Sequence, residues 1–162
     1  MSALPVVRRP WPASWAWAAS LLLGASGCLF GPDDPLDGER KRLLEARTLW
    51  RAQGLMDYRY TFRRSCFCAP PATDPVIVTV RGNAVVFVAR VDDGAPVDPA
   101  SYDSIEGLFR LLEEAIDQEA HQVRAEYDAE LGFPKTAFID RDAMIADEEL
   151  GFEASGVQPN RP

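Results

Sequence analysis

An α+β fold is predicted by the way two periodicities alternate along this 162-residue chain. Apolar residues recur at helical spacing from Glu39 to Gln53 and from Ser104 to about Glu119. Period-two stretches follow each of these segments, and compact turns of Gly, Asn and Pro separate them. The resulting order, αβββ-αββ, points to an antiparallel sheet of five or six strands with two helices on one face.

The first residues read as an export signal. Arg8 and Arg9 supply a positive start, and Trp11 to Leu23 is an uncharged apolar run too short for a comfortable membrane span. Ala25-Ser26-Gly27-Cys28 resembles the lipobox of bacterial lipoproteins, in which the cysteine is lipidated on sulfur and becomes the new N-terminus. The alternative, a plain signal peptide or an uncleaved anchor, must treat Cys28 as coincidence. Leu29 replaces the aspartate that holds many enteric lipoproteins at the inner membrane, so an outer-membrane destination fits. Residues 1–27 are therefore assigned to the signal and 28–38, rich in Pro, Gly and Asp, to a tether that reaches at most ~35 Å. A single domain over 39–157 and a tail over 158–162 follow.

Within that domain the first helix sets Leu43, Ala46, Leu49 and Trp50 on one side and stops at Gly54. From Tyr58 to Cys68, alternation places Tyr58, Tyr60, Phe62, Arg64, Cys66 and Cys68 on one face and Arg59, Thr61, Arg63, Ser65 and Phe67 on the other. Pro70-Pro71 breaks the strand. Val76 to Val80 and Ala84 to Val91 form a hairpin around Arg81-Gly82-Asn83, and Val85 to Ala89, apolar on both faces, reads as a central strand. Asp92 to Asp103 is a loop, after which Ser104 caps a helix striped with Ile105, Leu108, Phe109, Leu112, Ala115 and Ile116. Val123, Ala125 and Tyr127 mark the next strand and Lys135 to Asp140 another, with a short one near Phe152 to Ala154.

Charge and cysteine count narrow the function. Removing residues 1–27, which carry two arginines and no acid, leaves 15 basic against 25 acidic residues, a net −10 compared with −8 for the whole chain. So acidic a domain is repelled by a phosphate backbone and by anionic headgroups, which argues against nucleic acid and leaves membrane attachment to the lipid. With Cys28 consumed, Cys66 and Cys68 remain as a pair in an oxidising compartment. Residues i and i+2 of an extended strand lie about 6.5 to 7 Å apart, so bridging them demands a bend and stores strain. Three readings stay open: a structural clip, reduced core thiols, or redox or metal chemistry.

Two further clusters are candidates. Asp140, Asp142, Asp147, Glu148 and Glu149 offer hard oxygen ligands for calcium, but Met144 interrupts the EF-hand spacing and a solvated acidic loop competes. Arg59, Thr61 and Arg63, with Arg64 beside them, form a basic stripe that either receives a carboxylate-bearing partner or pairs with acids such as Glu126 on neighbouring strands. His121 is the only histidine, which gives no Ser-His-Asp or Cys-His arrangement and too few ligands for zinc.

Trp50, Asp57-Tyr58-Arg59-Tyr60-Thr61, Cys66-Phe67-Cys68, the hairpin, Leu108-Phe109, Tyr127-Asp128, Gly132-Phe133-Pro134, Ile139-Asp140 and Asp147-Glu148 together resemble a bacterial family of secreted and lipid-anchored proteins known only as a domain of unknown function. The resemblance spans roughly residues 40 to 155. It implies a compartment and a fold, and it supplies no catalytic residues. The expectation is a lipid-anchored envelope protein that binds a partner without catalysis or cofactor; the competing expectation is a thiol-disulfide protein using Cys66 and Cys68.

Overall fold

The computed structural model describes residues 35–145 and 147–160; the expected signal, Cys28 and most of the expected tether lie outside them. Helix α1 runs over Pro35–Ala52. Residues 35–38, assigned to the tether, are thus its first turn: Pro35 supplies a ready helical φ where no N–H is needed, and Asp37 sits favourably at the dipole's positive end. Leu43, Ala46 and Trp50 are buried on its inner side, whereas Leu49 is 37 % exposed. The helix also buries Glu39, whose carboxylate is paired with Arg42 and accepts a hydrogen bond from the Tyr127 hydroxyl at 3.4 Å.

Seven strands form one antiparallel sheet: β1 Tyr58–Cys66, β2 Val76–Arg81, β3 Ala84–Arg90, β4 Pro96–Val97, β5 Gln122–Tyr127, β6 Pro134–Asp140 and β7 Leu150–Pro159. Their spatial order is β4-β3-β2-β1-β7-β6-β5. Helix α2, Ile105–Asp117, begins at Ser104, whose hydroxyl accepts from the Gly107 N–H at 3.2 Å. Its predicted stripe is buried throughout. Both helices cover the same face of the sheet, against the alternate residues Tyr58, Tyr60, Phe62, Val76, Val78 and Val80 and their neighbours.

The expected five or six strands in the order αβββ-αββ are thus seven in the order αββββ-αβββ, and three further expectations need correction. The short strand near Phe152 is a ten-residue strand joining β1 to β6, and it absorbs Gln158 and Pro159 from the supposed tail. Gly156, at φ +62°, lies where the β1–β7 register shifts between Arg59 and Thr61, so the bulge needs a residue free of Cβ strain. Strand β3 is not central: beyond it β4 pairs with Val88 and Ala89 alone, leaving Val86 and Phe87 half exposed. The loop from Asp92 to Asp103 itself contains β4 and a 3₁₀ turn, Pro99–Ser101.

The core centres on β1. Trp50 meets Tyr58 edge-on at 5.2 Å between ring centres, Tyr60 meets Phe62 at 6.3 Å, and Phe62 meets Tyr102 at 5.9 Å. Tyr58 accepts the Ile105 N–H at 2.9 Å, and Tyr60 donates to the Asp103 carbonyl. Burial pushes the Tyr58 hydroxyl up to about 12, so it stays neutral in this role. Across the helices, Arg47 reaches Glu106 at 3.1 Å and Glu113 at 2.9 Å, and Arg51 adds a second contact to Glu106 at 3.1 Å.

Two predictions follow from this packing. A Cβ on Gly132, which has φ +84°, would lie 2.4 Å from the Ala46 carbonyl oxygen and 2.8 Å from the Trp50 nitrogen. Gly132→Ala should therefore cost more than ~2 kcal/mol in urea unfolding, since helix backbone must move. Burial alone would raise Glu106, but hydrogen bonds from Arg51 and Arg47 outweigh it and hold the carboxyl below its ordinary 4.5. A depressed pKa contributes stability above the unfolded value, lost as pH falls through the folded one. The melting temperature of Glu106→Gln should thus fall below wild type at pH 7, the gap narrowing below pH 4.5; an equal gap at both pH values would refute the linkage.

Candidate functional site

Alternation along β1 sends Arg59, Thr61 and Arg63 to the sheet face that no helix among the described residues covers. In register, Arg59 stands between Thr79 and Gln158, Thr61 between Ile77 and Ser155, and Arg63 opposite Glu153. Arg59 donates to the Gln158 side-chain oxygen at 3.0 Å. Arg63 makes no ion pair among the described residues. Glu126 does not answer this stripe, because β7 and β6 separate its strand from β1. Arg64 does not join it either: it turns to the core side, over the rings of Phe62 and Tyr102, and donates to the Ser101 carbonyl at 2.9 Å.

The stripe runs between two grooves. One, of about 460 Å³, is lined by Arg59, Gln158, Pro159 and Asn160. The other, of about 480 Å³, lies at the far end of β1 and is lined by Arg63, Arg64, Cys66, Cys68, Pro70 and Glu153 among others. Four residues of strand set the two arginines about 13 Å apart. Beside the stripe, Ile77 is 39 % exposed and Phe87 50 %, a pair of apolar side chains on the same open face. Sequence reasoning missed them as surface. The signal was present in the two-sided apolar pattern of Val85 to Ala89, which a strand beside a sheet edge produces as readily as a central one.

Cys66 and Cys68 are joined by a disulfide with Cα atoms 5.2 Å apart, closer than an extended strand allows. Cys66 is the last residue of β1 and Cys68 lies beyond it, exposed, as is Phe67 between them. Cys66 therefore keeps its place in the alternation and is half-buried, whereas Cys68 has left the strand and the face it was expected to share. The Pro70-Pro71 bond that follows is cis.

The acidic cluster is spread along a loop. Asp142 closes a turn by accepting the Met144 N–H at 2.9 Å. Asp140 and Glu148 each keep one buried carboxylate oxygen without a partner among the described residues. No three His, Cys, Asp or Glu side chains converge as a metal site among those residues.

The described residues thus form an α+β domain that packs both helices on one face of its sheet and leaves the other face without a helix among them. The chain belongs to a family of unknown function, DUF6174, whose model matches residues 42–159. That span runs from within α1 to the last residue of β7, so the family's unit is this domain. No curated protein and no solved structure matches the chain.

For the acidic loop the expected result is an unchanged melting temperature in millimolar calcium against a chelator control. A ligand that prefers the native state must raise stability, so a rise of several degrees would establish a site there.

Proposed function

We propose that this protein is anchored in the cell envelope through lipid on Cys28 and acts as a non-catalytic module that binds a carboxylate-bearing envelope protein through Arg59, Thr61 and Arg63. The open sheet face carries the reading. A basic stripe on a chain of net charge −8 orients an acidic partner and repels a basic one, while Ile77 and Phe87 beside it add apolar contact. Thr61, between two arginines on a strand held from both sides, gives the contact a fixed geometry. No helix among the described residues is long and apolar enough to cross a membrane.

One observation favours a second reading, thiol-disulfide exchange. The Cys66–Cys68 disulfide borders a groove that also holds Arg63 and Arg64, cations that stabilise a thiolate. Against it, these cysteines end a strand, where no helix dipole assists.

The test crosslinks the full chain in intact envelopes. Arg59→Glu combined with Arg63→Glu should lose the captured envelope protein at unchanged melting temperature, and Cys66→Ser should retain it at a stability cost below ~3 kcal/mol. Capture that survives the charge reversal moves the contact elsewhere, and disulfide reduction that Cys66→Ser abolishes gives the redox reading precedence. Cys28→Ala should shift the protein out of the membrane fraction; a mature N-terminus that is unmodified and starts after Cys28 removes the anchor.

A further inference from the structure

The sheet ends at β5, and no strand among the described residues pairs with its outer edge. His121 donates its backbone N–H to the Arg141 carbonyl at 3.3 Å. The register continues from that pair, with Gln122 opposite Asp140 and Val123 opposite Ile139. Bonded and non-bonded pairs alternate in an antiparallel ladder, so Val123 and Ala125 turn their backbone groups to β6. Gln122, Arg124 and Glu126 turn theirs outward, offering three donors and three acceptors to one more strand.

The side chains on this edge select what covers it. Arg124 and Glu126 are both exposed and stand two residues apart on the open face. We propose that β5 pairs antiparallel with β5 of a second copy of this chain, Arg124 of each copy opposite Glu126 of the other. Outward-bonding residues must meet outward-bonding residues, and among the residues of β5 only this register sets two opposite charges across the joint. Sliding it by two residues in either direction opposes Arg124 to Arg124 or Glu126 to Glu126, so the same pair of charges favours one register and disfavours its neighbours.

Further features fit that joint. Ala125 falls on the two-fold axis opposite Ala125 of the second copy, where a large side chain would be crowded. Val123 falls opposite Tyr127 on the helix side, next to a groove of about 580 Å³ lined by Ala46, Leu49, Ala125 and Tyr127 among others. The axis stands perpendicular to the sheet, so both open faces point the same way and two Arg59–Thr61–Arg63 stripes lie on one continuous surface. The pairing is independent of what those stripes bind.

The experiment is sedimentation equilibrium of the full chain in detergent. Wild type should sediment at twice the monomer mass. Arg124→Glu should weaken association by about tenfold or more, and Arg124→Glu with Glu126→Arg should restore it by exchanging the partners. Arg124→Pro should also give monomer with an unchanged circular dichroism spectrum, because the N–H it removes lies outside the β5–β6 ladder. Ala125→Cys should crosslink into a dimer without reductant, since a non-bonded antiparallel pair brings Cα atoms to about 4.5 Å. A monomeric wild type, an Arg124→Glu protein that dimerises undiminished, a dimer in which Ala125→Cys does not crosslink, or an edge that pairs only with an added extended peptide would each overturn the proposal.

Discussion

A buried phenol that loses its hydrogen bond costs ~1–3 kcal/mol, and β1 buries two of them side by side. The hydroxyls of Tyr58 and Tyr60 converge on one short segment, the former accepting from Ile105 and the latter donating to Asp103. That segment is the start of α2. The position of the second helix is thus dictated by two side chains two residues apart on a strand, and the aromatic contacts of Trp50 with Tyr58 bring the first helix to the same place. Arg47 and Arg51 then tie the helices to each other through Glu106.

The candidate contact surface inherits this constraint. Residues of a strand alternate between faces, so fixing Tyr58, Tyr60 and Phe62 inward fixes Arg59, Thr61 and Arg63 outward, with no freedom to exchange roles. Both neighbours of β1 hold it in register over most of its length. A side chain on such a strand meets a partner with little backbone ordering left to do, which favours recognition by shape and charge over adaptation.

Local pattern made much of this legible. The stripe from Ile105 to Ile116, the cap at Ser104 and the hairpin at Gly82-Asn83 were readable because periodicity, capping and turn chemistry are properties of short segments. What was not readable depends on composition or on distance. The first turn of α1 has the Pro, Asp and Gly of a loop. Strand β7 carries Gly151, Gly156 and Pro159, residues that dilute a strand pattern, and only its neighbours on both sides make it extended. The supposed pairing of Arg59 and Arg63 with Glu126 failed because nothing local says that β7 lies against β1, so the distance between β1 and β5 could not be read. The disulfide was legible as a pair, but not the departure of Cys68 from the face it was expected to share with Cys66.

The place of β7 has a consequence for the order in which the chain becomes a folded body. Tyr58 pairs with Pro159 and Cys66 with Leu150, contacts that span almost the entire described sequence. Until that strand arrives, β2, β3 and β4 can zip onto β1, and β5 onto β6, but the two groups share no hydrogen-bonded boundary. The chain must therefore close a very long loop before its sheet is whole, a topology that slows folding relative to local contacts. Translation that delivers residue 150 late keeps the sheet in two incomplete pieces, each with an open seam, and the last strand to emerge converts them into one.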